Sequence, residues 1–309
     1  VTTPRPHVIN HSWGNSLIGP YFGTEVDGRL LDSSSFLNDQ LHVFSAGNFG
    51  NSGGQTLTLQ ASAKNVLSVG NVNTYLHATV GYPGNLWSGS SRGPTADLRW
   101  GPKICAPGTS IRSVQANTTS GYTLKTGTSM AAPHVTGIAA QLVDRYSFLR
   151  YRPATLSAVL MAGSLTKDNA ILSSPSISSN HHYNLYGTGR VDAYKVAGGN
   201  GQQTMYFWGF NQGPSGFGSL DFSVGAGATQ VTVVMNYQEF EGSAGASSPL
   251  QNDLDMYIDR APFTAAGDSG EFFAQQSTRD TTEVRILNNP VATDYRVKVF
   301  PESTAPFAN

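Results

Sequence analysis

Residues 127–137 read GTSMAAPHVTG, and the surroundings of Ser129 decide how the whole chain is read. From Ala131 to about Tyr146 the apolar residues Val135, Ile138, Ala139, Leu142 and Val143 recur at helical spacing. The spacing predicts a helix whose N-terminus lies at or just after Ser129. Pro133 then falls in the first turn, where a missing N–H costs nothing. Unpaired N–H groups and the positive end of the helix dipole favour negative charge at such an end. That suits a hydroxyl that must become an alkoxide and then carry an oxyanion. It suits an N-cap equally well, and Gly-Thr-Ser alone says no more than that.

The longer pattern is more specific. Gly127-Thr128-Ser129-x-Ala131-x-Pro133-x-x-Thr136-Gly137 resembles, position by position, the nucleophile signature of the subtilisin-like serine peptidases, the subtilases. HVINHSWG (7–14) resembles that family's substrate-binding strand. HVFSAGN (42–48) resembles the strand ending in its oxyanion-hole asparagine. AKNVLSVGNV (63–72), SSRGPTADLR (90–99), APGTSI (106–111) and GTGRVDA (187–193) follow in the family's order. The resemblance covers about residues 7–196.

Composition narrows the alternatives. The net charge is −1 and charged residues make up 13% of the chain, which leaves no electrostatic footprint for nucleic acid or an anionic membrane. A single cysteine, Cys105, excludes an internal disulfide. Its setting, PKICAPG, predicts a buried small hydrophobe rather than a reactive thiol. No apolar run approaches the length of a membrane span, and no signal peptide is visible. The glycine-rich, weakly charged loops fit a secreted, extracellular protein. The opening VTTPRP reads as the interior of a processed or truncated chain.

The 309 residues leave room for about two domains. In the first, 1–200, short apolar strands (HVIN, LHVFSAG, NVLSVGNV) alternate with helix candidates at 23–39, after Ser129 and at 152–165. This predicts an α/β fold with a parallel sheet, whose site lies at the carboxyl ends of the strands. Ser12–Gly14 and Asn48 sit at such ends. After Gly198-Gly199-Asn200-Gly201 the pattern changes. Residues 201–309 hold strand candidates (TMYFWGF, TQVTVVMNY, LDMYID, EVRILN, DYRVKVF) split by turn residues, which predicts an all-β sandwich or jelly roll. This part resembles the C-terminal β-barrel domain of some bacterial subtilases, through Asn252-Asp253-Leu254-Asp255. APFAN ends where that domain usually adds another strand.

The resemblance implies a chemistry. Ser129 is the expected nucleophile, and Asn48 with the Ser129 N–H the expected oxyanion donors. A peptide substrate would pair with Ser12-Trp13-Gly14 by strand addition, with Gly14 allowing close approach. Ala46-Gly47 would wall the pocket for the residue before the cut. Trp13 stands where the family often has leucine, and reads equally as a subsite for apolar residues or as a core tryptophan. No cofactor is required, and no protein ligand set for a metal is evident. Structural calcium at Asp253 and Asp255 is a weaker expectation than a solvated turn.

The general base is missing from this pattern. In the family it lies in H-G-T, after an aspartate in D-S/T-G, both before the asparagine. His7, His11 and His42 precede Asn48, but none is followed by Gly-Thr. They read as structural or surface residues. His134 lies in the Ser129 helix and points away from the nucleophile. His181 and His182 sit in a polar loop without further ligands. Asp268-Ser269-Gly270 spells the aspartate motif but follows the nucleophile, inside the β part, and reads as a turn. The expected partner is therefore a missing N-terminal segment of the same peptidase, carrying Asp, His and the first strands. The chain alone is expected to be inactive, and unstable through an exposed sheet edge. Two other readings stand beside this one. One is a pseudo-peptidase that binds peptides or glycans without cutting them. The other is a polymer-binding β domain that uses Tyr206, Phe207, Trp208 and Phe210.

Overall fold

The structure is a computed structural model, and it describes residues 5–74, 84–165, 181–199, 218–263, 272–273 and 279–301. The aromatic run 206–210, the Asp268-Ser269-Gly270 turn and the terminal APFAN lie outside these residues.

The first half is an α/β unit. Strands β1 (Val8–His11), β2 (Leu41–Ser45), β3 (Leu67–Val72) and β4 (Ile104–Pro107) form one sheet in the order β1-β2-β3-β4. Every pairing is parallel. β2 and β3 are buried at every residue, which is why they read as near-continuous apolar runs. Period-two alternation sorts their side chains. Leu41 and Val43 join Leu67, Val69, Ile104 and Ala106 in the main core. Phe44 packs on the other face with Ala63, Val66 and Leu31. Cys105 in β4 is fully buried, and burial pushes its thiol pKa up, as the apolar setting of PKICAPG predicts.

Three long helices cover the sheet. α1 (Val26–Asn38) lies on the Phe44 face. α2 (Thr128–Arg145) and α3 (Pro153–Ala162) supply Val135, Ala139, Leu142, Leu156, Val159 and Leu160 to the main core. A hairpin, β5 (Ile111–Val114) with β6 (Tyr122–Lys125), leads into α2. α1 forms within the helix candidate at 23–39, but most of its apolar residues do not mark its buried face. Val26, Leu30 and Leu37 are exposed, whereas Gly28, Asp32 and Ser35 are buried. The reason is that α1 meets a polar layer: Asp32 Oδ1 accepts from Asn65 N at 2.8 Å, and Ser35 Oγ donates to Gln40 O at 2.7 Å. Burial raises the Asp32 pKa to about 7.

The second half is an antiparallel β unit. β9 (Leu254–Arg260), β12 (Asp294–Pro301), β7 (Gly218–Ser223) and the short β10 (Phe272–Phe273) form a sheet in the order β10-β9-β12-β7. β8 (Gln230–Asn236) pairs with β11 (Thr282–Asn288). Alternation places this ribbon between two cores. Val231, Val233 and Met235 pack with Met256, Ile258 and Tyr295 of the four-stranded sheet. Val234, Val284 and Ile286 pack into the main core of the α/β unit. Among the described residues no helix is long and apolar enough to cross a membrane.

Candidate active site

The site begins at the α2 N-terminus. The helix starts at Thr128, one residue before the start expected at or just after Ser129, so Ser129 lies in its first turn and Pro133 in its second. First-turn N–H groups have no intrahelical acceptor, so the Ser129 N–H is free for an external one. Pro133, with no N–H, cannot take the bond that residue 133 would make to the carbonyl four residues back. That carbonyl belongs to Ser129, and Ser12 Oγ donates to it at 2.9 Å. Asn10 Nδ2 donates to Ser12 Oγ at 2.9 Å, and Thr136 Oγ1 donates to Asn10 Oδ1 at 3.1 Å. The end of β1 is therefore tied to the turn that carries Ser129, 117 residues away in sequence.

Asn48 follows β2 and reaches the same turn. Its Oδ1 accepts from Thr128 N at 2.9 Å and lies 3.0 Å from Thr128 Oγ1. A backbone N–H can only donate, so the carboxamide oxygen must face the helix. The Asn48 NH₂ is left to an external acceptor. It lies near Gly127, where an added Cβ would stand 3.3 Å from Nδ2. The Thr128 hydroxyl also accepts from Gly47 N at 3.1 Å, which holds the 46–48 loop against α2. The structure thus brings the turn bearing Ser129 together with Ser12, Gly47 and Asn48.

Gly14 and Gly47 converge on Thr58, a residue that sequence reasoning missed. A Cβ on Gly14 would stand 3.0 Å from Thr58 Cγ2, and one on Gly47 would stand 2.8 Å away. Thr58 N donates to Ala46 O at 3.0 Å. Its own hydroxyl is buried and has no hydrogen-bond partner among the described residues. Nothing in TLTLQ marks this position, because the contact spans 44 residues on one side and 11 on the other. Trp13 is 54% exposed, with its edge toward Phe44 at 5.1 Å. That exposure rules out the reading of Trp13 as a core tryptophan.

The histidines before Asn48 are engaged elsewhere. His7 packs edge-on against Tyr151. His11 Nε2 lies 3.0 Å from His42 Nδ1, the two rings are parallel, and His11 stacks on Phe44. Burial, followed by the neighbouring His11, lowers the His42 pKa to about 4, and burial lowers His11 as well. Ser34 Oγ, 3.4 Å from Nε2, is the neighbour on the α1 side. The unfolded chain protonates His42 near its ordinary value, whereas the folded chain does so only near pH 4. The pair's contribution to stability is therefore complete above about pH 6.5 and is lost as pH falls toward 4. His42→Phe, which keeps a stacking ring, is expected to flatten urea midpoints between pH 7 and pH 5. A variant as acid-sensitive as the parent would remove this assignment. His134 is exposed, with Nδ1 2.9 Å from Met130 O. His181 and His182 stack on Tyr183 and Tyr186.

Among the described residues no group of three or more His, Cys, Asp or Glu gathers around a metal-sized site. The turn expected at Asp253 and Asp255 is also not a solvated one throughout, because Asp255 is buried in β9.

Comparison with known proteins shows the family. A family model described as the subtilase family matches residues 3–189. Tripeptidyl-peptidase 2 of Drosophila melanogaster is 40% identical over 80 residues, which are 25% of this chain and 6% of that protein. Pyrolysin of Pyrococcus furiosus is 30% identical over 178 residues, 50% of this chain and 12% of that protein. Subtilisin DY of Bacillus licheniformis is 35% identical over 143 residues, 46% of this chain and 44% of that protein. The chain thus spans less than half the length of each of these relatives. A family match across more than half of the residues accompanies a parallel sheet that ties an asparagine loop to a serine turn, and the chain belongs to the subtilase family of serine peptidases.

Proposed function

We propose that this chain carries the nucleophile and oxyanion side of a serine endopeptidase site. Ser129 Oγ attacks the scissile carbonyl, and the developing oxyanion is held by Asn48 Nδ2 and the Ser129 N–H. The substrate backbone adds along Ser12-Trp13-Gly14. The side chain before the cut enters between Gly14 and Ala46-Gly47, with Thr58 beneath it, and exposed Trp13 meets apolar residues further upstream. Hydroxyl attack and amide-donor stabilisation use no cofactor. The observation that carries the reading is the Asn48 Oδ1 bond to Thr128 N, which turns an amide donor outward beside the serine turn.

The general base and its carboxylate are assigned to polypeptide outside these 309 residues, because D-S/T-G and H-G-T are absent before Asn48. β1 is the terminal strand of the described sheet and leaves an edge for a further strand. On this reading the chain alone hydrolyses peptides negligibly. Residues 1–200 and 201–309 act as a peptidase domain and a β domain, and the working location is extracellular.

A fluorophosphonate probe on the full-length gene product tests the proposal. Ser129 is expected to be labelled, and Ser129→Ala to remove the label. No labelling of the parent protein favours a peptide-binding pseudo-peptidase instead.

A further inference from the structure

The segment under the pocket, residues 58–65, has its other end gripped by the β unit. Lys64 is a buried cation, and its three hydrogen-bond acceptors among the described residues come from residues 239–249. They are Glu239 Oε1 at 2.8 Å, Pro249 O at 2.7 Å and Phe240 O. An ammonium has three donors, so the set is complete. Glu239 is equally filled: Oε1 also accepts from Gln251 N, and Oε2 accepts from Asn252 N and Nδ2. Next in sequence, Asn65 Nδ2 donates to Glu239 O at 2.7 Å and to Asp32 O at 3.0 Å. Thr281 Oγ1 donates to Lys64 O at 3.1 Å. A loop that merely covered the α/β unit would have no need of so fully matched a cation site.

The grip passes to the pocket through few bonds. Ser62 N and Oγ both donate to Thr58 O, at 3.1 and 3.0 Å. Leu59 N donates to Asn15 Oδ1 at 3.0 Å, and Asn15 N donates to Gln60 Oε1 at 3.1 Å. Asn15 adjoins Gly14, and Thr58 lies where Gly14 and Gly47 meet. Residues 58–63 are therefore hydrogen-bonded back on themselves and run directly into Lys64 and Asn65, with the cleft at one end and the β unit at the other.

We infer that Lys64 is a positioning residue for the substrate pocket, and that the β unit acts through Glu239 and residues 240–249 to hold the pocket floor in place. The inference rests on the proposed reading of Gly14, Gly47 and Thr58 as the pocket for the residue before the cut. It gives the C-terminal part a role in specificity, without any ligand of its own.

The test is Lys64→Met combined with Glu239→Gln in the full-length protein. The pair of changes removes both buried charges, and the donors of exposed Gln251 and Asn252 can turn to water. Hydrogen exchange at Leu59 and Ser62 is expected to rise about tenfold while exchange in α2 stays unchanged. KM for peptides with a large residue before the cut is expected to rise several-fold relative to those with a small one, with kcat nearly constant. Lys64→Arg serves if the double variant does not fold. It keeps the charge, but its planar fork does not match three converging acceptors. Unchanged exchange at residues 59 and 62, or an equal rise throughout α2, overturns the inference. Exchange is read without turnover, so a protein that cuts no peptide would refute the proposed activity and leave this result standing.

Discussion

Asn48→Ala in the full-length enzyme is expected to lower kcat by about 10²–10³ while KM changes little. That magnitude is the one established for subtilisin itself, a member of the same family, and is not obtained from this geometry. The geometry supplies the direction and the selectivity. Asn48 makes its fixed contacts through Oδ1, to the N–H and hydroxyl of Thr128, so the group lost to the reaction is the outward NH₂. An oxyanion exists in the transition state and not in the bound substrate, so its donor acts on kcat rather than on KM. Steady-state kinetics with an amide substrate decide the point. Asn48→Asp should be at least as damaging, because it replaces a donor by an acceptor with negative charge. An Asn48→Ala enzyme within about threefold of the parent in kcat would remove Asn48 from the oxyanion site. A KM rise at constant kcat would make it a substrate-binding residue instead.

Asp280→Ala is expected to cost about 3–5 kcal/mol of stability, the range for stripping one partner from a buried ion pair. For a chain of this size that corresponds to roughly 10 °C in Tm. Lys103 Nζ lies 2.7 and 2.6 Å from the two Asp280 oxygens, and both residues are buried. The ammonium also sits 3.9 Å above the Trp100 ring. Burial lowers the Lys103 pKa even with Asp280 present, so without Asp280 it falls further. The unfolded chain then binds the extra proton over the pH range between the two values. The stability of the variant should therefore rise as pH rises toward that of free lysine. Thermal melts at pH 6 and pH 9 provide the check. Lys103→Met/Asp280→Leu should recover most of the loss, since an apolar pair of similar volume often replaces a buried ion pair without penalty. A single variant within about 1 kcal/mol of the parent would mean that water reaches Lys103.

Both experiments turn on contacts of different sequence range, and that difference explains what could be read in advance. β2, β3 and α2 announce themselves through the spacing of their own apolar residues, because burial against a sheet or a helix imposes a period of 2 or 3.6. α1 shows where local pattern misleads. Val26, Leu30 and Leu37 mark a helix but face solvent, because its inner side meets Asn65 and the layer around Lys64 rather than an apolar sheet. The β8–β11 ribbon reads as one side of a sandwich. Both faces of the ribbon carry apolar residues, because one side packs on the α/β unit and the other on the four-stranded sheet.

The sequence by itself determined the family and the α/β-then-β order, and it singled out Ser129 and Asn48, on which the proposed chemistry rests. These features rest on short motifs, and short motifs are set by local backbone geometry. The tertiary structure alone decided that Thr58 meets Gly14 and Gly47, that Ser12 takes the carbonyl freed by Pro133, and that Lys64 is held by Glu239. Each of these joins side chains from separate segments of the chain. Their pairing depends on how sheet, helices and β unit pack, and no periodicity within one segment encodes it.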